Sequence, residues 1–328
     1  MGTTLAKKEL LWRRWDIMIE IIPFTKELEA TWDEFCIKEN LNFQFQRKFL
    51  NYHPHGKFID ASCILKVKNE ITGVFPAALV ASTAVSHPGL AHGGLGLRRE
   101  NGISSYEAGI NAIIEYYSLN GFKSLTLKHK PIFYRGGEDA IEEYYLKKNK
   151  FEISSHELNS VINLSAEMQL SSRKKRNLKK FSGISQEEDI AALYELYELL
   201  TSVLMEQHSI EPVHSYEDLL YLMQHFPNEL SLFTSRIDGI LVAGAVVFKY
   251  PEMWHTQYLA NGDLGRRIGA LDAVIVSLIE SARNSGAKYL SLGTSTENNG
   301  EILNEGLLTF KREFGALAVS REYFTRNI

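Results

Sequence analysis

The residues best suited to chemistry lie in two stretches of the C-terminal half. WHTQYLA (254–260) alternates as a strand does, and NGDLGRRIGA (261–270) predicts the opening of a long helix. Glycine lets a backbone approach a ligand closely, and a helix N-terminus offers unpaired N–H groups and positive potential. Arg266 and Arg267 add charge. This is the composition of a phosphate-binding loop, and equally of a turn, a cap and two solvated arginines. The second stretch follows the buried strand end at 290–292. Thr294, Ser295, Thr296, Glu297, Asn298 and Asn304 gather donors, acceptors and one carboxylate there. Asn304 and Glu305 then open a helix with Leu307, Leu308, Phe310 and Phe314 on its apolar face. Polar loops at the C-terminal ends of strands line ligand clefts, and they also cap helices.

The elements that must position these residues are written twice. NGFKSLTL (120–127) resembles SGAKYLSL (285–292), about 165 residues on, and each follows an apolar helical stretch. CILKV (63–67) leads through KNE into an apolar run at 71–80, as 230–236 leads through Asp238-Gly239 into 240–248. Both patterns predict a β-hairpin with a long second strand. Amphipathic helices at 138–150 and 304–314 each precede a short strand. The fold class expected is α/β (α+β), two tandem domains, each a mixed β-sheet flanked by helices. The boundary falls near residue 170, giving domains 1–170 and 171–328. SSRKKRNLKK (171–180) reads as a basic linker face. Residues 186–207 predict a helix, with Ile190, Leu193, Leu196, Tyr197, Leu200 and Leu204 at helical spacing.

The sequence carries two family resemblances. Residues 254–270 resemble the acyl-CoA-binding core of GNAT-fold acyltransferases. That pattern is Gln or Arg, two residues, Gly, one residue, then Gly or Ala. Here Arg266 and Gly269 fill the first two positions and Leu271 stands at the third. SHPGLAHGGL (86–95), LKHKPIFY (127–134), HTQYLA (255–260) and STENNGEILNEGLLTFKREFGA (295–316) are similar to the Fem-like tandem-GNAT proteins. That group is often associated with bacterial surface polysaccharide loci. It is related to transferases that carry amino acids from aminoacyl-tRNA to peptidoglycan precursors.

The resemblance implies two GNAT-like domains, of which only the second keeps the phosphate loop. NGISS (101–105) opens the corresponding first-half helix with hydroxyls and no arginine. It implies acyl-CoA, acetyl-CoA or longer, as co-substrate, held by Tyr258, Leu259, Ala260, Gly265, Arg266, Arg267, Gly269 and Ala270. The activity implied is N-acyl transfer to a small-molecule amine, an amino sugar or its nucleotide-linked form. Glu297 is the expected general base. A backbone N–H around Tyr258 would polarise the acyl carbonyl. Tyr258 or His255 would protonate the leaving thiolate. Gln257, Thr294, Ser295, Asn298, Asn304 and Lys311 would bind substrate. One alternative is an aminoacyl-tRNA-dependent transferase, with Arg173, Lys174, Lys175 and Arg176 meeting tRNA phosphates. Another is a catalytically silent binding module on the same fold.

Composition excludes other classes. Of 328 residues, 45% are hydrophobic and 23% charged, which describes a globular chain rather than a disordered or fibrous one. A formal charge of -4 advertises no nucleic-acid binding by the molecule as a whole. Two cysteines in unlike surroundings, Cys36 and Cys63, predict neither a disulfide framework nor a metal site. The longest apolar run, residues 240–248, falls far short of the ~20 that span a bilayer. No integral membrane association is expected. Residues 1–22 lack an apolar stretch followed by a cleavage site, so the expected address is cytoplasmic. P-loop, HExxH and GxSxG motifs are absent.

Overall fold

The computed structural model describes residues 18–54, 56–98, 102–135 and 140–328. The N-terminal leader reading and His55 lie outside these. By contacts the chain forms two compact units, and each contains one copy of the repeat. The first is Met1–Lys130, Ala140–Ser154 and Tyr323–Ile328; the second is Pro131–Asp139 and Ser155–Glu322.

In the first unit β1 (Glu20–Pro23), β3 (Cys63–Val67), β4 (Glu70–Phe75) and β7 (Gly96–Leu97) form one antiparallel sheet. The β3–β4 hairpin turns at Lys68 and Asn69, both with positive φ, as a two-residue turn requires. Its second strand is shorter than the sequence predicts. Pro76 has no N–H to donate, and the chain restarts as β5 (Ala78–Val80). β2 (Ile59–Asp60), β5, β6 (Thr83–Val85) and β8 (Ser124–Lys128) make the other sheet, joined at β8 by residues 323–327. β6 and β8 are parallel, and the chain between them forms the helix Gly102–Leu119. Helices α1 (Glu29–Lys38), α2 (Arg47–Leu50), α3 (Gly102–Leu119) and α4 (Ile141–Lys148) complete the unit. Ile110, Ile113 and Tyr117 of α3 pack on Leu125, Leu127, Leu146 and Phe324. Trp32, Phe35 and Phe45 pack on Ile64 and Val74.

In the second unit the sheet order is β10 (Ile184–Glu188), β11 (Leu230–Ile237), β12 (Ile240–Lys249), β13 (Met253–Asn261), β14 (Tyr289–Thr294), then residues 155–163 of β9 (Glu152–Asn163). Of these, residues 159–163 pair with β14, and all of them lie in the second unit. Tyr323–Ile328 returns to the first. The division by contacts therefore does not fall at residue 170. The expected helix over 186–207 begins later, because Ile184–Glu188 pairs antiparallel with β11 as an edge strand. α5 (Ser172–Lys180), α6 (Leu193–His208), α7 (Tyr216–His225), α8 (Asp263–Ile268), α9 (Ala270–Asn284) and α10 (Glu305–Arg312) surround the sheet. The core sits under α9, whose Val274, Ile275 and Leu278 meet Phe233, Val247, Leu290 and Phe314. β15 (Thr296–Glu297) and β16 (Ile302–Leu303) pair as a small hairpin, and β17 (Leu317–Asn327) ends the chain. No helix among the described residues is long and apolar enough to cross a membrane.

Candidate functional site

β13 and β14 are parallel neighbours for three residues only, 253–255 against 289–291. Two residues on, β13 carries a bulge. Val246 of β12 faces Tyr258 and Val247 faces Thr256, so Gln257 has no partner. A bulge bends its strand and increases local twist. The bend falls where β13 leaves β14, and the backbone of residues 256–261 no longer serves that neighbour. A groove that exposes strand N–H groups to a ligand is the arrangement an acyl carbonyl needs.

Side chains converge on this fork. His255 donates to or accepts from Ser291 Oγ through Nδ1 at 3.0 Å. Its low-dielectric surroundings push the imidazole down to about 3, so at neutral pH it holds no second proton to give. The expectation that His255 protonates a leaving thiolate loses its physical basis. Lys311 of α10 reaches the end of β14 and donates to the carbonyls of Gly293 at 3.1 Å and Thr294 at 2.5 Å. Burial pushes its ammonium down to about 7. The Tyr258 hydroxyl is held by His214, with the backbone N–H at 3.2 Å and Nδ1 at 2.7 Å. Burial pushes its phenol up, against the nearby backbone N–H groups.

The polar loop after β14 is largely engaged with itself. Ser295 is buried, its N–H bonding the Leu158 carbonyl at 2.7 Å and its hydroxyl Ser160 at 3.1 Å. Thr294 and Thr296 share a 2.8 Å hydroxyl contact. Asn304 caps α10 by accepting from Leu307 N–H, and its amide holds Glu297 at 2.9 Å. Asn298, at positive φ, turns the β15–β16 hairpin. Glu297 is exposed and paired to this cap; the geometry that favours a base, a carboxylate aimed into the fork, is not what it shows.

The basic glycine loop is built differently from its sequence reading. It opens the six-residue helix α8, and α9 starts only after Gly269, which sits at φ +76°. Gly265 is required by packing: a Cβ there would lie 2.4 Å from the Val242 carbonyl oxygen. Arg266 pairs with Asp263 and donates to the Asn261 carbonyl at 2.7 Å, and Arg267 is exposed. The N-terminus of α9 is met by α5. Asp272 in its first turn takes Lys174 at 2.6 Å and Asn177 at 2.9 Å. Lys174 is 3% exposed, so it is not the solvated phosphate contact expected of it. The reason is the partner, a buried carboxylate 98 residues away that no local pattern reveals. Arg173 bonds Glu313 at 2.8 Å, while Lys175 and Arg176 face outward. Sequence reasoning also missed His214. Its signal was the Ser215/Asp218 capping box, which fixes the loop before α7.

The first unit contains a cavity of about 440 Å³ lined by Arg47, His53, Phe58, Asp60 and His87, among others. Arg47 is buried, pairs with Asp60 and donates to Ser62 at 3.1 Å. His87 stacks on His53 with ring centroids 5.5 Å apart, and burial pushes it down to about 3.

Residues 169–312 match the family described as acetyltransferase (GNAT) domain. The class is thus a GNAT-fold protein. No curated protein matches the sequence. Among solved structures, FemX is similar at 11% identity and TM-score 0.67, covering 94% of this chain and 97% of that one. A conserved protein of unknown function from Bacteroides thetaiotaomicron VPI-5482 is similar at 12% and 0.62, covering 95% and 100%. A tandem GNAT protein from the clavulanic acid biosynthesis pathway is similar at 12% and 0.51, covering 94% and 98%. More particularly, residues 169–312 carry the match to the GNAT domain, and the fold of the whole chain is similar to that of FemX and of a tandem GNAT protein.

Proposed function

We propose that the protein is an N-acyltransferase whose acyl donor enters the β13–β14 fork of the second unit. The observation that carries this is the pairing of the two strands, which stops at His255 and Ser291 next to the Gln257 bulge. The acyl carbonyl would accept from the freed N–H groups near Gln257 and Tyr258, with Leu259 and Ala260 continuing the donor's strand contact. The leading donor is acyl-CoA, acetyl-CoA or longer, with Arg266 and Arg267 near its phosphates. The acceptor is a small-molecule amine, with an amino sugar or its nucleotide-linked form as the leading candidate. Gln257 and Lys311 are the proposed polar contacts at the fork. Titration calorimetry with acetyl-CoA and longer acyl-CoAs tests the donor; heats of binding are expected, and none from any of them would remove acyl-CoA.

One observation favours a second donor. The α9 N-terminus is already met by Lys174 and Asn177, while Lys175, Arg176, Lys179 and Lys180 face solvent from α5. That surface suits an aminoacyl-tRNA, whose phosphates give salt-dependent binding. Charge reversal at Lys175 and Arg176 separates the readings. It weakens transfer from aminoacyl-tRNA and leaves transfer from acyl-CoA unchanged.

A further inference from the structure

His255 and Ser291 are the last residues at which β13 and β14 pair, so they form the floor of the fork. Ser291 is fully buried, and its hydroxyl has two polar neighbours among the described residues. Gly293 N–H donates to the hydroxyl oxygen at 3.2 Å, and His255 Nδ1 lies 3.0 Å from it. A hydroxyl has one proton to give, and an N–H cannot receive it. Nδ1 is the acceptor left. Were Nδ1 protonated instead, the Ser291 proton would be buried without an acceptor, which folded proteins avoid. Nδ1 therefore accepts, and the single proton of the neutral ring sits on Nε2.

That proton has no protein partner among the described residues, and the ring is only partly buried. Its Nδ1–Cε1–Nε2 edge borders a niche just past the last strand pair. Gly293, two residues beyond Ser291, carries no side chain. The place where a Cβ would stand is bordered by the Thr256 carbonyl oxygen at 3.8 Å and His255 Cε1 at 3.9 Å, with nothing nearer. Burial, then the charges of Arg321 and Lys311, keep the ring from taking a second proton.

We infer that His255 Nε2–H is a neutral hydrogen-bond donor to the carbonyl oxygen of the activated acyl group, at the floor of the fork. This rests on the acyl-transfer reading above. In that reading the phosphates of acyl-CoA lie by Arg266 and Arg267, which follow the open end of β13, so the acyl group reaches the floor. The chemistry is shared by a thioester of CoA and an ester of tRNA. The amine nitrogen bonds the acyl carbon, and the carbonyl π pair moves onto oxygen, where Nε2–H meets the developing charge. The oxyanion then collapses, the bond to sulfur or to the ribose oxygen breaks, and the proton lost by nitrogen ends on that leaving atom. His255 gains and loses no proton. A weakly basic imidazole polarises a carbonyl in this way without becoming an acid.

Nitrogen-15 NMR of histidine-labelled protein at pH 8 tests this, with the His255 signals assigned by their loss in His255→Gln. The free protein is expected to show Nδ1 unprotonated and Nε2 protonated. Acetyl-CoA is expected to shift the Nε2–H signal, and S-ethyl-CoA, a thioether without the carbonyl, to leave it in place. Aminoacylated against uncharged tRNA makes the same comparison for the other donor. A protonated Nδ1 overturns the inference, as does a donor that binds without moving Nε2–H or a carbonyl-free partner that moves it equally; acyl transfer then still stands. If neither donor binds, the acyl-transfer reading fails and this inference falls with it. Kinetics with the donor that binds supply the second arm. His255→Leu is expected to lower kcat roughly 100-fold with KM nearly unchanged, and His255→Gln, which keeps an N–H, to recover part of the loss. Both limbs of the pH profile are expected to stay in place in His255→Gln. An unchanged kcat in His255→Leu, or a limb that disappears with the imidazole, contradicts the inference.

Discussion

The two copies share a parallel strand pair, and they finish it differently. In the first, β6 and β8 match over 83–85 and 124–126, and what lies beyond is filled. The loop after β6 crosses the gap. Ser86 N–H donates to Thr126, Lys128 N–H donates to Ser86 Oγ, and Gly93 N–H donates to the Lys128 carbonyl, each at 2.8 Å. Lys128 sends its ammonium back to the Pro88 carbonyl at 3.0 Å and to that of Leu90 at 2.5 Å. In the second copy the match over 253–255 and 289–291 gives way to a bulge, and no loop of this kind follows β13. Lys311 caps the end of β14 from the side instead. One fold thus yields a stapled strand pair and a forked one. Backbone groups left by a neighbouring strand must find partners, and in the first copy the chain supplies them.

The largest effect expected separates buried from solvated lysines in the second copy. Lys174→Ala strands Asp272, which is 5% exposed, and should cost about 3–5 kcal/mol in urea unfolding. Lys175→Ala, one residue on and exposed, should stay within about 0.5 kcal/mol. Equal effects would mean that α5 is a linker face after all.

The staple is tested by glycine. A Cβ on Gly93 would sit 2.4 Å from the Ser86 carbonyl oxygen, so Gly93→Ala should cost about 1–3 kcal/mol. A Cβ on Gly293 meets nothing nearer than 3.8 Å, although the residue sits at φ +77°. Gly293→Ala should therefore cost only the conformational penalty, about 1 kcal/mol. Thermal melts that rank the two the other way would break the comparison.

Each copy also holds one imidazole at about 3, His87 in the first and His255 in the second. Their folded values lie below 6.5, so the unfolded chain binds more protons in between. Stability is complete above about 6.5 and is lost as pH falls toward 3. His87→Asn and His255→Gln should each flatten the decline of urea midpoints between pH 6.5 and 4. Lys311 acts at the alkaline end. Its folded value of about 7 lies below 10.5, so burial of the charge costs stability below 7 and the cost fades as pH rises through that window. Wild type should gain stability between pH 7 and 10, by no more than about 1.4 kcal/mol per unit, relative to Lys311→Met.

Much of this was legible in the sequence, and the rest shares a cause. The helix, glycine and strand at 120–127 and 285–292 appear as read, with Gly121 at φ +81° and Gly286 at φ +87°. Local periodicity and turn chemistry reveal such elements because neighbours in sequence decide them. Pro76 could have shortened the first hairpin from sequence alone. The edge strand at 184–188 was hidden, because its tertiary partners, Thr234 and Arg236 on Glu188, override a helical apolar pattern. Lys174 and His214 were hidden for the same reason, since each is defined by a partner far along the chain. The polar loop at 293–304 drew attention by composition, yet most of its side chains cap and brace one another.

Hydrogen exchange read by mass spectrometry tests the central claim most directly, that only the second copy admits an acyl donor between its strands. Exchange is followed with acetyl-CoA and, in parallel, with aminoacylated tRNA. The account predicts that at least one donor protects residues 256–261 and 292–294, with no change at 83–93 or 124–130. Protection of the first copy's strand pair, or of neither pair by either donor, would contradict it.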